Sequence, residues 1–441
     1  MLPIVTPTTI PGVLVIDLPV HGDNRGWFKE NWQREKMVAV GVPDFRPVQQ
    51  NVSFNKAAGT TRGIHAEPWD KLVSVITGRV FGAWVDLREG PTFGAVFTTE
   101  INESRAVYVP RGVGNSYQTL VDDTTYSYLV NAHWSPDGSY TFLNLADDTV
   151  AIEWSIPLED AEISDKDRTH PQLVDVEPMP PRKTLILGAN GQLGRALQVA
   201  FPNAEAVSRD QLDITDGAAL SAYPWRDFDT IINAAAYTRV DEAETLEGRR
   251  DAWAINVIAV AALARIAQRF NLTLVTISTD YVFDGTVEEH FEGEPLTPLG
   301  VYGQTKAAGE AVTSTVDRHY IVRTSWLVGD GHNFVATMER LAANGASPDV
   351  VMDQIGILTP VAGLAKEIRR LLDERAPFGV HHLTGNGPAQ SWADIARQVF
   401  SRVGRDPDDV NGVSTRDYTA HKSTAPRPAY STLRSTRTDK G

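Results

Sequence analysis

Two periodicities divide the chain. Up to about Val150, runs such as LVSVITGRVFGAWVDL, GAVFTTEI and TYSYLVNAHW alternate apolar and polar positions, separated by Gly, Pro, Asn and Asp clusters. A period of two puts every second side chain on one face of a strand, so this half predicts an all-β sandwich or barrel. From Lys183 onward the pattern changes. TLILGAN, TIINAAA, TLVTIST and HYIVRTS are short continuous apolar runs, whereas GQLGRALQVAF and AWAINVIAVAALARIAQRF carry apolar residues at helical spacing. Strands buried on both faces, alternating with amphipathic helices, predict a parallel sheet sandwiched between helical layers. The expected organisation is a β domain over residues 1–172, a linker over 173–182 within the proline-rich HPQLVDVEPMPPRK, and an α/β domain over 183–435, with the polar tail RSTRTDKG frayed.

Length and composition narrow this picture. A chain of 441 residues suits two domains better than one core. The formal net charge of -15 opposes non-specific binding to nucleic acid or anionic membranes, which needs a basic surface. Cysteine is absent, which removes disulfides, thiolate catalysis and zinc–thiolate sites. No apolar run approaches membrane-spanning length, and MLPIVTPTTIPGVLVIDLPV lacks a basic segment and a cleavage site. The expectation is a cytoplasmic protein with neither nucleic-acid nor membrane partners.

Chemistry is most legible in the second half. In LILGANGQLGRAL, Gly188, Gly191 and Gly194 follow a strand and open a helix, with Asn190, Gln192 and Leu193 between them. Glycines there let the backbone turn sharply and approach a pyrophosphate, which the helix N-terminus stabilises. A glycine-rich turn with no ligand is the alternative. Farther on, Tyr302 and Lys306 stand four apart in VYGQTKAAGE, hence on one helical face. A free tyrosine is a poor acid–base group near neutrality, and a neighbouring ammonium is expected to lower its pKa. Thr279 of STDYVFDG is placed to bond the same substrate oxygen. Arg209, just past the second strand, suits a 2′-phosphate and so favours NADPH over NADH; an ordinary surface arginine is the other reading.

ILGANGQLGRAL, LDITD, IINAAAYTRVDEAE, ISTDYVFDG, VYGQTKAAGE, VRTSWLVGDGHNF, DQIGILTP, HHLTGNGPAQSW and PRPAYSTL together resemble dTDP-4-dehydrorhamnose reductase. The resemblance implies a Rossmann-type extended short-chain dehydrogenase/reductase fold that reduces the 4-keto group of a dTDP-4-keto-6-deoxyhexose with NADPH or NADH. It makes Thr279, Tyr302 and Lys306 the catalytic trio. It puts Asp213 and Ile214 near the adenine, and Ala234, Ala235, Ala236 and Tyr237 near the ribose and nicotinamide. Trp326, Asn333 and Arg427 would line the sugar-nucleotide pocket. Ala196 stands where some relatives carry an acidic residue of an intersubunit magnesium site, so no metal is expected.

HGDNRGWFKE, VQQNVSFNKAAGTTRGIH, DKLVSVITGRVFGAWVDLREGPTFG, VPRGVGNSYQTL, YSYLVNAHWSP and ISDKD resemble dTDP-4-dehydrorhamnose 3,5-epimerase. That implies a cupin-like jelly roll with its pocket inside the barrel, and by family precedent a homodimer. His65 matches the family's histidine base, Asp167 its carboxylate partner (Asp165 is the alternative), and Tyr128 the acid across the pocket. A ketone acidifies the flanking C–H groups, so a carboxylate-supported histidine can remove them. Lys71 would stabilise the enolate oxygen. Arg25, Gln49, Asn51 and Arg62 would hold the phosphates or the sugar. Three departures bear on this: Asn115 replaces a histidine, the loop between His65 and Lys71 is shorter than usual, and Glu67 stands where glutamine is common. They keep open a barrel that epimerises one carbon, or one that only binds the sugar nucleotide. A structural His65 and a metal-binding HAE segment are the remaining alternatives; the later Glu and His of metal cupins are missing. The combined expectation is a bifunctional enzyme of dTDP-L-rhamnose formation.

Overall fold

The period of two becomes two antiparallel sheets. In the computed structural model, which describes residues 2–135, 138–420 and 422–437, the chain forms two units that divide between Pro181 and Arg182. The first unit has a six-stranded sheet ordered Ile4–Pro7, Leu14–Asp17, Arg105–Val109, Lys71–Thr77, Thr124–Val130, Gln49–Asn55. Its second sheet runs Thr141–Phe142, Thr61–Ala66, Val113–Thr119, Val80–Asp86, Val96–Ile101. Alternation sorts the side chains. Val73 and Val75 of one sheet meet Val80, Trp84 and Tyr117 of the other in a shared core, while Leu72 packs outward beneath the short helix Arg34–Ala39 with Met37 and Phe45.

The segment expected to be a linker does not behave as one. Leu173, Val176 and Met179 are buried with Ile64, Ala66, Val85 and Leu87 on the outer face of the second sheet. Met179 N donates to the Leu87 carbonyl, and Glu89 N donates to that of Met179. Prolines mark this stretch as non-helical, but every third residue or so is apolar, and those residues cover a sheet face that would otherwise be wet.

The second unit carries a six-stranded parallel sheet ordered Glu205–Val207, Lys183–Leu187, Phe228–Asn233, Thr273–Thr279, His319–Thr324, Gly379–His382. Leu185 and Leu187 face one apolar layer and Ile186 the other, so both faces are covered, as the continuous apolar runs predict. One helical stretch, Leu246–Phe270, is long and apolar enough by composition to cross a membrane, contrary to the sequence expectation. Its Leu263, Ala264 and Ala267 are buried against the sheet, as in a core helix. A smaller subdomain packs helices Phe334–Ala343 and Trp392–Arg402 around Phe400 and Val399. The tail is not frayed as far as Arg437: Ser435 and Thr436 bond Glu292, and Arg434 pairs with Glu289.

Candidate active sites

In the first unit, strand alternation aims a polar set into the space between the sheets. Lys71 lies on the same face as Val73 and Val75, and Tyr128 on the same face as core Tyr126. Ile64 and Ala66 pack outward, so His65 between them points inward. On the edge strand, Asn51 pairs directly with Tyr128, and the Gln49 side chain donates to Asn51 Oδ1 at 2.9 Å. Arg62 Nε donates to Asn55 Oδ1 at 3.2 Å, and its charge is felt at both Tyr117 and Tyr128. Arg25 stands apart: it is exposed at the tip of the Val20–Lys29 hairpin, paired with Asp23.

His65 Nε2 lies 3.0 Å from Asp167 Oδ1, although the two residues are 102 apart in sequence. Asp167 comes from the four-residue helix Asp165–Arg168, where Ser164 Oγ accepts from its N–H; Asp165 takes no part. Burial pushes the Asp167 carboxyl up. The His65 hydrogen bond and charge, the Gly63 N–H and His170 outweigh that and hold it below the usual carboxylate range. An ionised Asp167 fixes the proton of a neutral His65 on Nε2 and leaves Nδ1 as the basic lone pair.

Lys71 is buried, paired with Glu67, and 5.3 Å from the Tyr128 ring centroid; burial lowers it to about 7. Burial also raises Tyr128, so it carries its proton at neutral pH. Asn115 is opposite His65 in register, and its Oδ1 accepts from Trp84 Nε1 at 3.0 Å and the Tyr126 hydroxyl at 3.2 Å. Asn115 is thus held as a hydrogen-bond acceptor, without a titratable ring. His170 is the residue that sequence reasoning missed. It is buried, stacks on Phe142 with centroids 4.8 Å apart, and places Nε2 3.8 Å from Asp167 Oδ1. The signal was a histidine three positions beyond Asp167, hidden in a stretch read as linker.

The second unit's candidate residues gather at the C-terminal ends of the parallel strands, where open α/β sheets bind ligands. Gly188 takes φ +83°, and a Cβ there would meet Ala235 N at 2.8 Å. A Cβ on Gly194 would sit 2.1 Å from the Gly188 carbonyl oxygen, so only glycine lets helix and strand pack this closely. Helix Gln192–Ala200 starts at Gly191 with no side-chain cap, leaving its first N–H groups free for an anion. Gly188, Asn190, Gly191, Arg209, Asp213, Ile214, Ala234, Ala235 and Ala236 line one cleft. This cradle fits a dinucleotide. Arg209 is exposed at the rim, its Nε 3.1 Å from Asp213 Oδ2. Three residues lie differently. Leu193 is buried core, Gln192 donates to the His332 carbonyl, and Tyr237 is buried with Ala243, Ala252 and Val301, its hydroxyl facing Gly248. Ala196 packs against the same core as Leu193.

Thr279 ends its strand, and Tyr302 and Lys306 share one face of helix Val301–Thr313. Lys306 Nζ donates to the Ile277 carbonyl at 2.6 Å, and burial lowers it to about 8. The lysine does not lower Tyr302 as the sequence reading expects. Burial dominates and raises the phenol, assisted by Asp280 and Tyr281, with the Thr279 hydrogen bond acting the other way. Asp280, also missed by sequence reasoning, is buried, accepts from Thr279 Oγ1 at 2.9 Å, and is pushed up by burial to about 6. A second cavity is lined by Tyr281, Phe334, Gln354, Trp392, Tyr418 and Arg427. Burial acts to lower Arg427, but its pairing with Asp241 and the neighbouring Tyr281 outweigh that and raise it. Trp326 stacks on Trp392 at 3.6 Å from behind, and Asn333 caps the helix that carries Phe334.

Comparisons with known proteins divide the chain at the same place. Residues 7–175 match the family model described as dTDP-4-dehydrorhamnose 3,5-epimerase, and residues 182–441 match the RmlD substrate binding domain. A Streptococcus pyogenes protein named as an RmlC homolog is 52% identical over 180 residues, 39% of this chain and 90% of that protein. The dTDP-4-dehydrorhamnose reductase of Mycolicibacterium smegmatis is 39% identical over 266 residues, 58% of this chain and 79% of the relative. The crystal structure of the Bacillus anthracis dTDP-4-dehydrorhamnose reductase in complex with NADP aligns with a TM-score of 0.52 at 36% identity, over 57% of this chain and 89% of that one.

Proposed function

The chain belongs to the dTDP-4-dehydrorhamnose 3,5-epimerase family in its first unit and to the RmlD reductase family in its second, and we propose that it carries both reactions of dTDP-L-rhamnose formation on the residues described above. One observation carries this reading. Each unit offers its own candidate proton-transfer set: His65, paired with Asp167, on one sheet and Tyr128 on the other in the first, and Thr279, Tyr302 and Lys306 in the second.

In the first unit, the substrate is a dTDP-4-keto-6-deoxyhexose. His65 Nδ1 removes the proton at C5 or C3, Asp167 stabilises the imidazolium, and the Lys71 ammonium faces the enolate oxygen. Tyr128, held protonated by burial, returns a proton from the opposite face, which inverts the carbon. Gln49, Asn51 and Arg62 hold the sugar nucleotide. Arg25, exposed on its hairpin, is placed to reach a ligand where two copies would meet. Val52 and Phe54, 61% and 60% exposed on the edge strand, support such a homodimer. The paired sheets support a cupin-like jelly roll.

In the second unit, the parallel sheet order supports a Rossmann-type extended short-chain reductase. Bound in the cleft, NADPH would supply the hydride to C4. The glycine turn and helix N-terminus would hold its pyrophosphate, and Arg209 its 2′-phosphate. Tyr302 donates its proton to the C4 oxygen. A raised phenol suits this role, because the donor must arrive protonated and the alkoxide it serves is far more basic. Lys306 and Thr279 orient Tyr302, and Arg427 binds the nucleotide's phosphates. Family chemistry of this soluble kind supports a cytoplasmic location.

The test of the second half is NADPH oxidation with purified, already epimerised 4-keto sugar nucleotide. Steady turnover is expected, and its absence in the folded chain contradicts the reductase reading.

A further inference from the structure

The buried surroundings of His65 hold more ligand chemistry than proton transfer uses. His65, Asp167 and His170 each offer one donor atom, and these atoms all lie within 4.8 Å of one another. Oδ1 of Asp167 is 3.0 Å from His65 Nε2 and 3.8 Å from His170 Nε2. Tetrahedral zinc with N and O ligands at about 2.0–2.2 Å needs donor atoms about 3.3 Å apart, so sub-ångström shifts of three side chains close the site. His170 supplies the independent sign. It is only 8% exposed, and beyond a marginal contact with the Leu143 backbone neither ring nitrogen makes a well-formed hydrogen bond. A ring present only to stack on Phe142 gains nothing from two buried nitrogens, which cost desolvation when left without partners.

We propose that His65, Asp167 and His170 form a binding site for a divalent cation of the zinc type, whose occupancy switches off proton transfer in the first unit. Two neutral imidazoles and one carboxylate are a common zinc donor set and leave a fourth position open for water. The effect on His65 follows from its tautomer. A neutral imidazole carries one proton; in the metal-free chain it sits on Nε2, donated to Asp167. A cation on Nε2 moves that proton to Nδ1, so the basic lone pair is gone, and Asp167 is occupied as well. No bond to substrate is made or broken. The inhibitory part rests on the epimerase reading; the binding part does not.

The experiment uses the full chain, treated with chelator and then titrated with zinc chloride. Solvent-deuterium incorporation into the 4-keto sugar nucleotide is followed in parallel with NADPH oxidation on pre-epimerised substrate. Zinc at micromolar levels is expected to stop label incorporation, EDTA to restore it, and NADPH oxidation to continue throughout. His170→Asn, with inhibition read against its own metal-free rate, is expected to raise the inhibitory zinc concentration by at least about tenfold, the loss that even outer-shell changes cause. Cobalt(II) in place of zinc reports binding directly through the visible bands of a four-coordinate site, and those bands are expected to vanish in His170→Asn. Equal inhibition of both chains, or no cobalt bands in the unaltered chain, overturns the proposal. If His170→Asn loses basal incorporation outright, the cobalt spectrum of the unaltered chain decides alone. If that chain incorporates no label even without zinc, the epimerase reading fails, while the cobalt spectrum still tests the site.

Discussion

The two centres solve one problem with opposite architectures. Both bury a tyrosine so that it stays protonated and a lysine so that its ammonium is destabilised, to about 7 at Lys71 and about 8 at Lys306. In the barrel these groups converge from strands far apart in sequence, and the base depends on a segment that returns after 102 residues. In the reductase unit, one strand end and one helical turn suffice. A site built from a helical i, i+4 pair is rigid by local geometry. One built across a sandwich is only as ordered as the strap that closes it.

The sharpest break of this comparison is a reciprocal pair of variants in the full chain. His65→Ala should lower deuterium incorporation at C3 and C5 by about 10²- to 10⁴-fold while NADPH oxidation on pre-epimerised substrate is unchanged, and Tyr302→Phe should do the reverse. Loss of both activities in either variant would mean that the two sites are not independent. A barrel acid distinct from its base predicts a subtler outcome. Tyr128→Phe should still exchange label through His65, but the yield of inverted product should fall by about 10²-fold.

Stability separates the units next. Glu310 and Arg323 form a buried bidentate pair beneath the reductase site, and Ser278 donates to the same carboxylate. Glu310→Ala leaves a buried guanidinium unpaired and should cost about 3–5 kcal/mol, read as a lower second-unit melting transition with the first unmoved. A smaller effect concerns pH. With Lys306 depressed to about 8, its charged form prevails below that value and is lost above it, so reductase turnover should decline as pH rises through about 8. Lys306→Arg keeps its charge throughout and should lack that alkaline limb, at reduced turnover. The smallest change is expected at the cleft rim, where Arg209→Ala should raise the KM for NADPH by about tenfold and leave that for NADH unchanged.

How much of this was legible follows the same division. The Tyr302–Lys306 spacing and the Gly188, Gly191, Gly194 turn are local patterns; the pair shares one helical face, and Gly188 and Gly191 line the cleft. Asp167 and Tyr128 were reachable only through resemblance, because no periodicity links residues so far apart. Burial, which sequence does not display, reversed one expectation: it sets the Tyr302 phenol, against the lysine. Proline content misdirected another, since the stretch from His170 to Met179 covers a sheet face and brings His170 beside the base. Tyr237 and Leu193, chosen by motif position, turn into the core, where apolar contact outweighs cleft exposure.

The central claim is that one chain performs both steps in order. It is tested most directly by giving the full protein dTDP-4-keto-6-deoxyglucose and NADPH in deuterated water and identifying the product sugar by NMR. The account predicts dTDP-L-rhamnose with deuterium at both C3 and C5. A reduced sugar labelled at one carbon, or at none, would contradict it.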